Sequence, residues 1–255
     1  FGGGEPLLHK DVGQILEYAH RKGFQTFLST NGTLLPKRRE LLAFIDHVNL
    51  SLDGGREVHD AVRGEGAFDK TIDAIRLSRD NGVDVSVQCV LSSYNLDKAD
   101  EVLDVAAEHR ITAMFQPATR VLDSSTQPNP IAPEVEPYRA VIDHLIARKR
   151  AGAPVRNSIS GLRHLQQWPA PAAIWCSAGV LSITIEPDGS VIACHQAQVG
   201  EFLEGAKSDA PIEEHIAQLR IPRNCRQCWC APLVELQLLF SLRPEVALNA
   251  LRTFL

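Results

Sequence analysis

The chain has 255 residues, 44% of them hydrophobic, and a formal net charge of -5. That length suits one or two domains at roughly 150 residues each, and the mild acidity gives no reason to expect nucleic acid or an anionic membrane as a partner. No apolar run reaches the roughly 18 residues of a membrane span, and the expected location is the cytoplasm.

The chain opens with Gly2-Gly3-Gly4-Glu5-Pro6. Glycines let a backbone approach a ligand closely, proline fixes the direction into the next element, and the Glu5 carboxylate can accept hydrogen bonds from an ammonium group. Residues 9–23 then carry Val12, Ile15, Leu16, Tyr18 and Ala19 at helical spacing, closed by Gly23. Strands are expected over 25–30, 47–52, 83–91 and 111–117. Helices are expected over 35–44, 68–80 and 98–109, with Leu41, Leu42 and Ile45 as the buried side of the first. Strands alternating with helices through short loops imply a parallel sheet with helices outside. With a strand ending at Phe1, the pattern fits an α/β fold: a partial (β/α)6 TIM-like barrel. In such barrels ligands sit at the carboxyl ends of the strands. Gly3–Pro6, Ser29–Gly32 and Ser51–Gly54 all fall there.

After residue 120 the pattern changes. Residues 121–133, with Pro128, Pro130 and Pro133, read as a loop, and helices follow over 135–149 and 159–167. Pro169-Ala170-Pro171 marks a boundary. A β-hairpin is expected over 180–194 around Asp188-Gly189, then a short helix over 212–219 and a largely helical tail over 234–255 broken by Pro244. The expected division is a core over 1–120, a helical connector over 121–171 and a small hairpin-and-helix, cysteine-rich domain over 172–255.

Of the six cysteines, Cys89 lies alone in a strand pattern and reads as a buried small hydrophobe. The other five follow residue 175. Cys176-x12-Gly189-x4-Cys194 straddles the hairpin, and Cys225-x2-Cys228 is a chelating pair. Four thiolates suit a [4Fe–4S] cluster or tetrahedral zinc. Cys230 is one thiol too many; it either replaces Cys228 or is a spare. Trp229 reads as packing around this knuckle, and His195 as a polar loop residue.

The order Gly3-Gly4-Glu5-Pro6, Ser29-Thr30-Asn31-Gly32, Asn49-Leu50-Ser51-Leu52-Asp53-Gly54 and His59-Asp60-Ala61-Val62-Arg63-Gly64 resembles the core of radical S-adenosylmethionine (SAM) enzymes. The resemblance implies that Gly3, Gly4, Glu5 and Pro6 hold the amino group of SAM's methionine half. It implies that Ser51 and Arg63 engage its carboxylate, with Arg63 in a loop, and that Thr30 and Asn31 lie near the ribose. Asp53 would support the loop. The late cysteines resemble the auxiliary-cluster domain of the same enzymes, in its short twitch form rather than the longer SPASM form. This implies an auxiliary [4Fe–4S] cluster on Cys176, Cys194, Cys225 and Cys228. The family's Cys-x3-Cys-x2-Cys loop, which carries the SAM-cleaving [4Fe–4S] cluster, has no match in this sequence. The chain is therefore expected to be an N-terminally truncated piece, lacking its first βα unit and inactive alone. Its parent would use a 5′-deoxyadenosyl radical to abstract hydrogen from a peptide or small-molecule substrate, with electrons from a flavodoxin or ferredoxin. No catalytic residue is assigned from the sequence. The rival readings are a zinc-stabilised α/β binding protein and a scaffold without radical chemistry.

Overall fold

A computed structural model describes residues 1–121, 127–194, 211–219 and 225–254. His195 lies outside them. Contacts gather the chain into two compact units: Phe1–Gln116 with Asp143–Asn157, and Pro117–Ile142 with Ser158–Leu255.

The first unit is built on strands β1 (Phe27–Thr30), β2 (His47–Ser51), β3 (Asp84–Leu91) and β4 (Thr112–Pro117), hydrogen-bonded in that order. β1 and β2 pair in parallel, as do β2 and β3, with Val48 opposite Val85 and Ser51 opposite Gln88. The sheet extends at both edges. The Ser29 N–H donates to the Phe1 carbonyl at 2.8 Å, so backbone at Phe1 lies beside β1. Beyond β4, Val155 pairs in parallel with Ala113, which draws residues 143–157 into this unit.

Helices α1 (Val12–Arg21), α2 (Arg56–Arg63), α3 (Ala67–Asp80) and α4 (Ala99–Glu108) connect the strands. Strand residues Leu28, Val48, Leu50, Val85, Val87 and Leu91 are buried, as are Ala74 and Ile75 of α3 and Val102 and Leu103 of α4. Each such leucine or valine contributes about 1.5–3 kcal/mol on burial. The period of two then sends alternate residues to the opposite face. That face carries His47 and Asn49 of β2 and Ser86 and Gln88 of β3, and it is polar.

Three sequence expectations change in this unit. The α1 stripe is narrower: Val12 and Leu16, one turn apart, are buried, whereas Ile15 and Tyr18 are exposed. Residues 35–44 form a 3₁₀ helix kinked at Arg38, with Leu41, Leu42 and Ile45 buried as expected. The eight-residue α2 stands where a loop was expected, opening at Gly55 and ending at Gly64. Arg63 is its last residue.

The second unit holds the N-terminal part of α5 (Val135–Arg150) and all of α6 (Ile159–Leu165), followed by β5 (Thr184–Ile185) and β6 (Val191–Ile192). The hairpin forms with Asp188-Gly189 in its turn, but each strand has only two residues. α7 (Ile212–Gln218), α8 (Ala231–Phe240) and α9 (Pro244–Phe254) complete it. α8 starts three residues earlier than expected, directly after Cys230. Pro244 opens α9, where its fixed φ suits a first turn and its missing N–H costs nothing. The helices lock through Gly161, where an added Cβ would collide with Glu235 Oε1. Glu235 in turn accepts from the Ser158 N–H at 2.8 Å, at the α6 N-terminus. Among the described residues no helix is long and apolar enough to cross a membrane.

Candidate functional site

In the first unit the candidate side chains lie at the carboxyl ends of β1 and β2. Pro6 starts a single 3₁₀ turn, Pro6–Leu8, anchored by buried Leu7. Glu5 caps this turn, its Oε1 accepting from the Leu7 N–H at 3.1 Å. The same oxygen accepts from Thr30 Oγ1 at 2.7 Å, and Oε2 accepts from the Asn31 N–H at 2.9 Å. A carboxylate offers about four acceptor positions, so three donors fix Glu5 and one position, on Oε2, is left. Glu5, Thr30 and Asn31 are thus brought together. Asn31 spends its Oδ1 on Thr33, accepting from its N–H at 2.9 Å and its Oγ1 at 2.6 Å. Gly32 follows at φ +79°, and a Cβ there would lie 2.9 Å from Leu50 and 3.0 Å from Ala74. The turn is glycine because the sheet and α3 close over it. Gly3 has φ +94°, while a Cβ on Gly4 would meet nothing within 4 Å; the protein's own packing does not demand glycine at 4.

Arg63 donates from Nε to Asp53 Oδ2 at 2.5 Å. Asp53 is buried, and its Oδ1 accepts from the Val90 N–H at 3.2 Å. Asp53 supports the loop, as expected. Among the described residues no hydrogen bond or ion pair joins Ser51 or Arg63 to Glu5. The rest of the 59–64 motif is scaffolding. His59 is buried, and its Nδ1 accepts from the Asp53 N–H at 3.1 Å, so the proton sits on Nε2, 3.3 Å from Thr71 Oγ1. Burial lowers its pKa. Asp60 accepts from the N–H groups of Phe68 and Gly66 at the start of α3, and the Phe68 bond chiefly holds its carboxyl below the usual range.

Two groups carry little signal in the sequence. Asn95 donates from Nδ2 to the carbonyls of Asp53, at 2.8 Å, and Val90, at 3.0 Å. An asparagine in a Tyr-Asn-Leu turn gives no sign of that. The second is the polar face of β2 and β3. His47 Nδ1 faces Asp84 Oδ2 at 2.9 Å and its Nε2 faces Arg156 Nη1 at 2.8 Å. A carboxylate only accepts and a guanidinium only donates, so His47 is the neutral Nδ1–H tautomer. Burial first, then Arg156, lowers its pKa. Ser86 Oγ donates to Asn49 Oδ1 at 2.9 Å, and Asn49 Nδ2 to Gln88 Oε1 at 2.9 Å. Polar residues at 47, 49 and 51, alternating within a buried strand, are the one trace of this face in the sequence.

In the second unit the five late cysteines are free thiols, each half-buried. The Cys228 thiol is pushed up by burial, and further by Cys230, Cys194, Cys176 and Cys225. All four neighbours therefore stand within electrostatic reach of Cys228. Burial also pushes Cys230 up to about 11, opposed by the Leu233 N–H that points at its sulfur. Yet no group of three or more His, Cys, Asp or Glu among the described residues is arranged to hold a metal ion. His164 of α6 holds the knuckle by donating from Nε2 to the Cys228 carbonyl at 3.0 Å, with its ring stacked on Trp229. Trp229 thus packs as expected. Cys89 is fully buried in the first unit, as expected, and burial pushes its thiol well up.

Residues 1–106 match the radical SAM superfamily. The chain's relatives include mycofactocin maturase MftC of Mycolicibacterium smegmatis, 34% identical over 247 residues, which cover 89% of this chain and 61% of MftC. PqqA peptide cyclase of Ruegeria pomeroyi is 26% identical, over 89% of this chain and 65% of the cyclase. The chain thus spans under two thirds of these relatives. The fold is also that of anSMEcpe solved with bound AdoMet, at TM-score 0.62 and 20% identity over 84% of this chain and 65% of that one. Streptococcus suis SuiB bound to S-adenosylmethionine gives TM-score 0.61 and 19% identity, over 81% and 50% of the two chains.

Proposed function

We propose that this protein is a radical SAM maturase that modifies a peptide. The observation that carries the reading is Glu5: its carboxylate is fixed by Thr30, Asn31 and Leu7 at the strand ends, with one acceptor position left for an ammonium group. The open space at Gly4 suits close approach of that ligand. Arg63 spends Nε on Asp53 and offers its terminal nitrogens to a carboxylate, with Ser51 as the second partner of that carboxylate. The peptide substrate class rests on the maturase and cyclase relatives. SAM supplies a hydrogen-abstracting radical once it is reductively cleaved, with a flavodoxin or ferredoxin as the electron source. These 255 residues contain no Cys-x3-Cys-x2-Cys, so the thiolates that would hold the SAM-cleaving cluster are not among them.

In the second unit, Cys176, Cys194, Cys225 and Cys228 would hold an auxiliary [4Fe–4S] cluster. Tetrahedral zinc draws its sulfurs to within about 3.8 Å of one another, given Zn–S bonds of about 2.3 Å. A four-iron cluster holds them about 7 Å apart; the paired spacings Cys176-x12-Gly189-x4-Cys194 and Cys225-x2-Cys228 support the four-thiolate reading. The test of the SAM reading is calorimetric titration of SAM into the full-length gene product. Glu5→Gln should weaken binding about tenfold or more, since an amide places a donor where an ammonium needs an acceptor. Equal affinity in both proteins would refute the role given to Glu5.

A further inference from the structure

The polar face of β2 and β3 ends beside the candidate SAM site, and its hydrogen bonds run in one direction. Arg156 Nη1 lies 2.8 Å from His47 Nε2 and 2.7 Å from Ser86 Oγ. A guanidinium only donates, so it fills the single lone pair of Nε2 and one of the two on Ser86 Oγ. Ser86 Oγ also lies 2.8 Å from Nε2, but that lone pair is taken. The Ser86 hydrogen therefore goes to Asn49 Oδ1, at 2.9 Å. With its oxygen engaged, Asn49 turns Nδ2 to Gln88 Oε1, also at 2.9 Å. Gln88 then has its oxygen engaged and its nitrogen left over. Among the described residues its Nε2 has no hydrogen-bond partner, and the side chain is half-buried rather than sealed in the core.

Both carboxylate partners proposed for SAM are tied to the same stretch of strand. Gln88 is the register partner of Ser51 across β2 and β3, so the two side chains stand on one face of the sheet. Arg63 donates from Nε to Asp53 Oδ2, while Asp53 Oδ1 accepts from the Val90 N–H. Val90 is the next residue after Gln88 on that face. We infer that Gln88 is a further SAM-binding residue, donating from Nε2 to the carboxylate of SAM's methionine half beside Ser51 and Arg63. The inference rests on the SAM reading of this site. A carboxylate has about four acceptor positions and no hydrogen to give. The Ser51 hydroxyl and the terminal nitrogens of Arg63 leave it room for a third donor. Asn49, Ser86 and Arg156 are positioning residues. They hold the Gln88 amide with its donor end outward, and so exclude the flipped amide, which would set oxygen against oxygen. An amide already fixed by its strand neighbour also loses little freedom on binding.

The experiment titrates SAM, and in competition decarboxylated SAM, into the full-length gene product with its iron loaded. Decarboxylated SAM keeps the sulfonium, the ammonium and the nucleoside, and lacks only the carboxylate. Gln88→Leu removes the donor at similar size. Gln88→Glu keeps an acceptor for Asn49 Nδ2 and turns a negative charge toward the ligand, so it preserves the strand pair and decides the matter if the leucine variant loses both ligands. Both variants should bind SAM about tenfold or more weakly, the scale of a hydrogen bond to a charged group, with Gln88→Glu the weaker of the two. Decarboxylated SAM should bind Gln88→Glu no more weakly than it binds the parent. A parent that binds no SAM overturns the SAM reading and this inference with it. Parent-like SAM affinity in either variant, where Glu5→Gln still weakens binding, overturns the inference alone. Equal weakening of the two ligands in Gln88→Glu overturns it as well, because Gln88 would then shape the pocket rather than hold the carboxylate.

Discussion

Breaking the Arg63–Asp53 pair probes the loop that frames the candidate SAM site. The perturbation is Arg63→Met, which keeps an apolar stem and removes the guanidinium. Asp53 is left with the Val90 N–H at 3.2 Å as its side-chain partner. A charge-assisted hydrogen bond contributes about 1.5–3 kcal/mol, and breaking a fully buried pair costs about 3–5 kcal/mol. Here Asp53 is 4% exposed but Arg63 is 31% exposed, so water already screens one side. The expected loss is about 2–3 kcal/mol. The readout must be local, because Trp168, Trp175 and Trp229 all lie in the second unit and fluorescence would miss the first. Amide hydrogen exchange along β3 reports the first unit directly. Asp53→Asn alone should also destabilise, while the double variant should recover about 1–2 kcal/mol of the summed loss. A loss under about 0.5 kcal/mol for Arg63→Met, the scale of an ordinary surface change, or strict additivity of the two substitutions, would refute the reasoning.

Gly32→Ala should cost about 2–3 kcal/mol, from strain at positive φ and the approach of Leu50 and Ala74; an exchange profile of β1 and β2 unchanged from the parent would contradict it. Stability should fall with acid through His47, His59 and His164, whose pKa values burial lowers below the ordinary 6.5. Above pH 6.5 the folded and unfolded states are both neutral there. Below it the unfolded chain takes up protons that the fold refuses, at about 1.4 kcal/mol per pH unit for each histidine. Urea midpoints at pH 7.5, 6.5 and 5.5 check this, and a flat profile would refute it. Cys228→Ser should lower iron uptake by the reconstituted chain, whereas Cys230→Ser should not; the reverse pattern would make Cys230 the ligand.

The repeating βα pattern was legible because parallel strands bury one face under helices, and Val85, Val87, Cys89 and Leu91 write that face in alternation. What escaped was local. α2 is short and polar, and its existence rests on Arg63 reaching Asp53 and on Asp60 capping the next helix, not on an apolar stripe. The glycine turn at 2–4 and its distant partners Thr30 and Asn31 were legible as motifs, yet the bonds joining them cross about 25 residues and no periodicity encodes them. Asn95 and Gln88 were illegible for the same reason: each becomes significant only when folding brings a backbone carbonyl or a neighbouring amide beside it. Residues 143–157 join the first unit in part through the parallel bridge at Ala113 and Val155, which is too short for a strand pattern to announce.

The most direct test of the central claim is formation of 5′-deoxyadenosine by the full-length gene product, anaerobically, with iron, sulfide, dithionite and SAM. The account expects reductive cleavage in the parent and a loss of at least about tenfold in Glu5→Gln at limiting SAM, matching its weakened binding. Absence of 5′-deoxyadenosine from the full-length product with its iron fully loaded would contradict it, as would undiminished cleavage by the Glu5 variant.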